Sequence, residues 1–481
     1  MMTRIKQLGK DTLIYGIGGI LAKSISFFLL PIYTRVFSLS EYGTIEMLTV
    51  ISSFFSIILI MGMDVTQSVY FFKFKKKGKK AQAQIVSAIL QWRLLWGIVI
   101  ILFGTLISPF INVWFFQGLL SWEYFVIAFI GTLFTQVMSQ SVEVMRLLYL
   151  PFSYICITLG KTILSALLIL SFIIFFDKGI IGFFLGAAIA SLLVAFIGWF
   201  HVREYLQFNK IYWSLWPKLI KFGLPLMPSS FVLYLMFSAD RFFIQYYHGE
   251  VSLGLFAIGS KFAILIALCI ETFRKAWWPI AMDSMYSEDG PEIFRLISIL
   301  YMGIASSCII VVTLISPTLI KWMTTSEFHS SWPLVGILAW QSVFYGFYMI
   351  CSAGILKSEK TYLNFYLSAG ALFVGLTLNF FLVPSYGNMG AAISTALTFF
   401  LWIIVSSIVS QLLWKINLSW FILSFQISLS AIFVIWFIYD NNETTLLLSS
   451  LIALIIVIII LTSSIQFKKK SFYLRTFNRK K

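Results

Sequence analysis

Charged and catalytic side chains are scarce in this sequence. Only 11% of its 481 residues are charged, and it contains three histidines, four cysteines and nineteen acidic residues. The histidines are far apart, no glycine-rich nucleotide-binding motif accompanies them, and the cysteines lack the spacing of metal ligands. We therefore expect no enzyme activity, disulfide, metal or other cofactor. The cysteines lie within apolar stretches, which predicts small buried residues, at Cys156, Cys269, Cys308 and Cys351.

Long polar segments are missing as well. Hydrophobic residues make up 60% of the chain, and the mean hydropathy of +0.92 excludes a water-soluble domain with a polar surface. A helix needs about 20 mostly apolar residues to cross the hydrocarbon core, and such stretches recur from Thr12 to Phe467. The first run extends to about Phe37, beyond the ~7–15 residue core of a signal peptide, so we expect it to be retained. The sequence thus predicts an all-α integral membrane protein.

Apolar runs between breakers predict about fourteen transmembrane helices. The expected ranges are 12–37, 44–72, 85–107, 122–145, 152–176, 180–201, 219–247, 253–273, 293–318, 332–356, 361–383, 388–413, 416–438 and 446–466. With an even number of spans, both termini lie on the same side of the membrane.

Basic residues in the connectors predict which side that is. The formal net charge is +16, yet the basic residues fall in short clusters between apolar runs, which indicates orientation in a membrane and not binding to nucleic acid. With both termini cytoplasmic, the inside connectors hold 27 of the 35 Lys and Arg residues, and the outside connectors hold only Arg35, Lys178 and Lys321. One missed or false span would destroy this asymmetry. The sequence therefore predicts cytoplasmic termini.

The chain also repeats itself at an offset near 208 residues. Leu106-Ile107-Ser108-Pro109 recurs as Leu314-Ile315-Ser316-Pro317, Gly179 and Gly182 recur as Gly387 and Gly390, and Gly43 matches Gly254 at 211. These matches predict two pseudo-symmetric six-helix lobes plus two C-terminal helices, with the repeats parallel because each lobe has an even number of spans. The expected boundaries are 1–210 and 211–414 for the lobes, 415–466 for the additional helices and 467–481 for a basic cytoplasmic tail.

Several charges lie within or beside the predicted spans. A charge at the bilayer centre costs roughly 2.5–3.5 kcal/mol on insertion scales, so such residues should face a protein interior or a wet cavity. A cationic cavity would suit an anionic ligand, whereas the alternative is pairing with acids or snorkelling to the headgroups. The candidate substrate-binding cations are Lys23, Arg241, Lys261, Arg93, Lys161 and Arg35.

Four charged residues need a further remark. Arg35 ends the first span, so interfacial anchoring is an equal alternative there. Asp64 and Asp240 are candidates for H⁺ or Na⁺ coupling, or are fixed counter-ions. Asp240 and Arg241 are adjacent and point about 100° apart on a helix, so they need not neutralise each other.

Two stretches resemble a known family. The N-terminal Lys10-Asp11-Thr12 with Leu30-Pro31-Ile32-Tyr33-Thr34-Arg35-Val36-Phe37-Ser38, and the later Ser238-Ala239-Asp240-Arg241-Phe242-Phe243-Ile244 with Ala276-Trp277-Trp278-Pro279, resemble bacterial polysaccharide repeat-unit flippases. These belong to the multidrug/oligosaccharidyl-lipid/polysaccharide exporter superfamily. The resemblance implies a two-lobe fold with a central cavity and alternating access.

The resemblance also implies a function. It is the export of an undecaprenyl-pyrophosphate-linked oligosaccharide across the bacterial cytoplasmic (inner) membrane for O-antigen, lipopolysaccharide or capsule synthesis. The partners it implies are membrane lipids, a polysaccharide polymerase and a chain-length regulator. The alternatives are a lipid II-type flippase and a cation-coupled multidrug exporter, of which membrane-embedded Lys and Arg disfavour the second. A membrane-embedded glycosyltransferase would need a longer outside connector with acid and base residues.

Overall fold

The structure, a computed structural model, describes residues 18–207, 209–439 and 449–462. Over these residues the chain is almost entirely α-helical and contains no β-strand. The chain forms two compact units that divide after Gly254. The predicted all-α membrane fold is confirmed, and the predicted basic tail 467–481 lies outside the described residues.

Among the described residues, the first unit contains eight α-helices and the start of a ninth. They are α1 (Gly18–Val36), α2 (Leu39–Ile60), α3 (Met63–Lys73), α4 (Lys79–Phe116), α5 (Trp122–Leu147), α6 (Pro151–Ile174), α7 (Gly179–His201), α8 (Trp216–Gly223) and α9 (Met227–Ser284). The second unit continues α9 and adds α10 (Gly290–Met323), α11 (Trp332–Cys351), α12 (Ala353–Lys357), α13 (Tyr362–Leu413), α14 (Trp420–Tyr439) and α15 (Ser449–Thr462).

The described residues form eleven helical segments that are long and apolar enough to cross a membrane. Three of them contain an internal glycine with positive φ, which are Gly62 between α2 and α3, Gly249 in α9 and Gly387 in α13. The 58 residues of α9 are two helices joined at a kink at Gly249, and each of the two has the roughly 20 residues needed to cross the hydrocarbon core. The segments that contain Gly249 and Gly387 therefore each correspond to two predicted spans, which is why the sequence predicted more spans than the structure has helical segments. The number fourteen stays a prediction.

The division after Gly254 falls within α9, whereas the repeated residues predicted a lobe boundary at 210. Packing and sequence duplication are different criteria for dividing a chain. The predicted lobe boundaries therefore stay predictions.

Helix α2 crosses α9 at close range just after the kink at Gly249. A Cβ atom on Gly43 would lie 1.8 Å from the carbonyl oxygen of Glu250, and one on Gly254 would lie 2.3 Å from that of Leu39. The contact is reciprocal, because each glycine faces the residue four positions before the other. Small residues allow such close approach of helix backbones in membranes, where packing rather than hydrophobicity drives helix association.

Other repeated residues share local geometry. The Ser108 hydroxyl donates to the Thr105 carbonyl at 2.8 Å, and the Ser316 hydroxyl donates to the Thr313 carbonyl at 2.9 Å. Each bond lies just before an intrahelical proline, where the helix lacks one backbone donor. Gly179 and Gly387 both have positive φ, of 49° and 53°. The repeat in the sequence thus corresponds to repeated local structure.

The cysteines correct one expectation. Cys351 is buried and Cys308 is half-buried, but Cys156 and Cys269 are exposed on the protein surface. The expectation that all four are buried was wrong for these two. In a membrane protein the outer surface of a helix is as apolar as its inner face, so an apolar stretch alone does not identify the buried side.

We predict that Gly43→Ala lowers the stability of the protein by about 1–3 kcal/mol, because a backbone oxygen occupies the space of the new methyl group. Thermal unfolding of the purified protein in detergent measures this loss. Gly160→Ala in α6 is the matched control. No atom lies within 4 Å of its added Cβ, and Ala in a helix interior is favoured over Gly by about 0.5–1 kcal/mol. Equal unfolding temperatures for the two variants would show that the crossing is not tight.

Candidate functional site

The first charged cluster is an ion pair between α3 and α4. The guanidinium of Arg93 lies 2.6 Å from the carboxylate of Asp64 and also donates to the carbonyl of Gln136 on α5. The Arg93 side chain is only 1% exposed, whereas that of Asp64 is 41% exposed. Arg93 is therefore a buried cation held by fixed partners, and the accessible member of the pair is the acid.

Polar side chains extend this cluster along α3 and α5. The Gln136 amide donates to the Ser56 hydroxyl at 2.7 Å. One turn after Asp64, the Ser68 hydroxyl donates to Glu143 at 2.8 Å, and Arg146 lies 2.6 Å from the same carboxylate oxygen. The helices of this part of the first unit are thus joined by polar contacts as well as by packing.

The second cluster centres on Arg241 in α9. Its guanidinium Nε lies 3.1 Å from Glu46 on α2, and its Nη1 lies 3.0 Å from Asp240 and donates to the carbonyl of Phe237. The exposed fraction of the side chain is 15% for Arg241, 13% for Glu46 and 3% for Asp240. Asp240 and Arg241 therefore pair, although adjacent residues point about 100° apart on a helix. The long Arg side chain folds back toward the N-terminus of its helix, which brings its end to the preceding residue.

Two lysines lie at one depth on neighbouring parallel helices. Gly18 of α1 packs on Ile155 of α6. At the other end of α1, the ring of Tyr33 lies 5.8 Å from that of Phe183 at the start of α7. The start of α7 lies against the end of α6, because Gly182 packs on Phe172. The two helices α1 and α6 therefore run in the same direction.

These contacts give the positions of the two lysines along their helices. Lys23 follows Gly18 by five residues and Lys161 follows Ile155 by six. The two lysines therefore lie about 7.5 and 9 Å along the helix axes from the Gly18–Ile155 contact. Lys23 is exposed and Lys161 is half-buried. Neither forms an ion pair with any residue in the described ranges.

The remaining candidates lie elsewhere. Arg35 is exposed near the end of α1, about 18 Å from Lys23 along the helix, and its guanidinium donates to the carbonyl of Pro31 at 2.8 Å. Lys261 is exposed and belongs to the second unit. The structure therefore divides the six cations into three groups. Arg93 and Arg241 form ion pairs with acids, Lys23 and Lys161 lie at one level, and Arg35 and Lys261 lie elsewhere. Their roles in substrate binding stay predictions.

Sequence reasoning did not single out the acidic partners Glu46 and Glu143. Both lie inside predicted spans, 44–72 and 122–145. An acid in a span is as costly as a base, so each could have been flagged as the counter-ion of a membrane cation. The pairing itself depends on which helices are neighbours, and the sequence pattern does not contain that.

Comparisons with known proteins agree with this architecture. Residues 8–285 match the family described as polysaccharide biosynthesis protein. A Lsg locus protein of Haemophilus influenzae is 24% identical over 281 residues, which cover 57% of this chain and 66% of that relative. An uncharacterized membrane protein of the same bacterium is 25% identical over 323 residues, which cover 65% of this chain and 74% of that relative.

Solved structures share the fold at low sequence identity. The lipid II flippase MurJ in an inward closed conformation is 15% identical, with a TM-score of 0.73, over 95% of this chain and 99% of that one. A multidrug resistance MATE family transporter of the MOP superfamily in an inward-facing conformation is 15% identical, with a TM-score of 0.63, over 81% and 94%. The family match covers more than half of the chain, and the fold agrees with it. This protein therefore belongs to the polysaccharide biosynthesis protein family, and its fold is similar to that of solved flippases and transporters.

Proposed function

We propose that this protein is a flippase that moves an undecaprenyl-pyrophosphate-linked oligosaccharide from the inner to the outer leaflet of the bacterial cytoplasmic membrane by alternating access. The oligosaccharide is a repeat unit of a surface polysaccharide such as O-antigen or capsule. A polymerase and a chain-length regulator would act on the exported unit. The observation that carries the proposal is the placement of Lys23 and Lys161 at one depth of the first unit, in a chain of the polysaccharide biosynthesis family.

The physical argument starts from the cost of these lysines. An ammonium group within an apolar span is unfavourable unless water or an anion stabilises it. Neither lysine forms an ion pair with the part of the chain that is described. A pyrophosphate offers several acceptor oxygens, and Lys binds such groups as a compact point charge. In surroundings less polar than bulk water, this attraction is stronger than at an exposed surface.

The two alternatives differ in how they fit these charges. Organic cations, the substrates of such a multidrug exporter, would be repelled by two lysines at one level of the first unit. A lipid II-type flippase has a similar anionic substrate, and the MurJ-like fold is compatible with it. The family match to polysaccharide biosynthesis favours the repeat-unit substrate. The proposal includes no chemical step, so the protein acts as a transporter and not as an enzyme.

We predict that Lys23→Gln and Lys161→Gln each slow flipping of a lipid-linked oligosaccharide about tenfold, since each removes one charge-assisted hydrogen bond of ~1.5–3 kcal/mol. The double variant should be slower than either. Lys23→Arg and Lys161→Arg should retain most activity because they keep the charge. Flipping is measured in proteoliposomes with a defined lipid-linked oligosaccharide.

Lys178→Gln is the control for these variants, because Lys178 is exposed in the connector between α6 and α7. The amount of each protein in the membrane is measured beside its activity. Full flipping by the double Gln variant at normal abundance would rule out a role for these lysines in substrate binding. Faster flipping of lipid II than of the repeat unit by the wild-type protein would favour the first alternative.

Coupling to H⁺ or Na⁺ through Asp64 or Asp240 is a separate hypothesis, and the ion pairs favour its alternative, fixed counter-ions. We predict that Asp64→Asn destabilises the protein by roughly 3 kcal/mol, because it leaves the buried Arg93 without its counter-ion. Adding Arg93→Met should restore most of the stability. Thermal unfolding measures both effects, and proteoliposomes with and without an ion gradient measure coupling. Loss of gradient dependence in a stable double variant would instead identify Asp64 as the coupling residue.

The orientation is proposed from the loop charges, with both termini cytoplasmic. In a variant without native cysteines, we predict that Lys77→Cys is labelled only from the cytoplasmic side and Lys178→Cys only from the outside. The two positions follow the second and the fifth predicted span, so they should lie on opposite faces. An impermeant maleimide applied to intact cells, and then to inverted vesicles, measures this. Labelling of both positions from the same side would overturn the predicted topology.

A further inference from the structure

An elongated cavity of about 610 Å³ lies within the second unit. Its walls come from α10, α11, α13 and α14, and most of the side chains that line it are aliphatic or aromatic. They include Met302, Phe347, Phe400, Ile404 and Ile427. The volume lies within the range of ~300–1,000 Å³ that is typical of small-molecule sites, so the cavity is large enough for an apolar ligand.

The cavity follows the direction of the helices. On α13 its lining extends from Phe400 to Leu412, and on α14 it extends from Trp420 to Ser428. At 1.5 Å per residue these stretches correspond to roughly 18 and 12 Å. One leaflet of a bilayer contributes about half of the ~30 Å hydrocarbon core. The cavity thus has the length of one leaflet and begins where α13 ends.

The polar side chains of the lining include Gln411 and Lys415, at the end where α13 gives way to α14. The Gln411 side chain accepts a bond from the backbone N–H of Leu418 at 3.2 Å, which fixes the turn between the two helices. Lys415 is exposed and forms no ion pair with the described parts of the chain. The cavity is therefore mostly apolar along its length, with Ser407, Ser424 and Ser428 among its lining residues, and it carries a positive charge at the end near Lys415.

Two more cations gather at the same turn. The Arg295 guanidinium donates to the hydroxyl of Ser419 at 2.9 Å, and the Lys357 ammonium lies 4.1 Å from the ring centre of Trp414. Trp420 at the opening is 41% exposed, as is common for tryptophan at the membrane interface. A phosphate group at this turn would be close to three basic side chains.

We propose that this cavity is a binding site for an anionic glycerophospholipid, with one acyl chain in the cavity and the phosphate at Lys415, Arg295 and Lys357. Basic pockets between transmembrane helices bind anionic headgroups in this way. The length of the cavity suits a single acyl chain of one leaflet better than the longer chain of a polyprenyl carrier. The proposal depends on the second unit alone and does not rest on the proposed transport function. The bound lipid would be a resident of the fold and not the cargo.

The test uses the full-length protein in detergent, with binding of defined lipids measured by native mass spectrometry and by the rise in unfolding temperature. Phosphatidylglycerol should bind and stabilise the protein, and phosphatidylcholine should do so much less. Lys415→Gln should weaken phosphatidylglycerol binding about fivefold, the effect of one basic residue near an anionic lipid. Lys415→Arg should bind like the wild type. Lys178→Gln, which removes a lysine of the first unit, should have no effect.

A second variant tests the cavity apart from the headgroup. Ser428→Phe places a ring in the inner part of the cavity and leaves all three cations in place, so it should reduce phosphatidylglycerol binding at an unchanged unfolding temperature without lipid. Equal binding of phosphatidylglycerol and phosphatidylcholine would overturn the proposal. An equal rise in unfolding temperature with inorganic phosphate alone would also overturn it. Preferential binding of undecaprenyl phosphate would overturn it as well, because the cavity would then bind the polyprenyl carrier. Because no flipping is measured, failure here leaves the proposed function untouched.

Discussion

A charge in an apolar helix requires an opposite charge, water or a bound ion, and ion pairs meet this constraint in the interior of the first unit. Arg93 and Arg241 lie in predicted spans. Arg93 is held by one carboxylate and a backbone carbonyl, and Arg241 is held by two carboxylates and a backbone carbonyl. Because removal of one partner leaves a costly charge behind, these pairs join the helices that carry them. Helix α3 is thereby linked to α4, and α2 to α9. Packing alone would not specify these neighbours as sharply.

Close backbone contact is the second organising feature. The reciprocal crossing of Gly43 and Gly254 brings α2 and α9 together a short distance along the chain from the Glu46–Arg241 pair. Glu46 follows Gly43 by three residues, nearly one helical turn, so the glycine contact and the ion pair act on the same pair of helices. A larger residue at Gly43 would push the helices apart and would also strain the ion pair.

The charged residues then divide by environment. Arginines with acids are part of the structure of the first unit, whereas Lys23 and Lys161 share one depth without an acid among the described residues. Under the proposed function, this division lets the chain carry cations for an anionic ligand and still be stable in a membrane. The cavity in the second unit adds a different kind of site, mostly apolar along its length and basic at the end near Lys415. Substrate and resident lipid would thus be recognised by separate parts of the chain.

The sequence by itself determined the membrane class, the helical fold and the family, because hydropathy, helix length and local motifs are properties of short segments. It also singled out Arg93 and Arg241, since a single Lys or Arg in an apolar run is visible without a structure. Only the tertiary structure decided which cations are paired. Arg93 and Asp64 are 29 residues apart, and Glu46 and Arg241 are 195 apart. It also decided that Cys156 and Cys269 are exposed. Lipid and protein interior are similarly apolar, so burial and partnership depend on which helices are neighbours, and segment composition does not encode this.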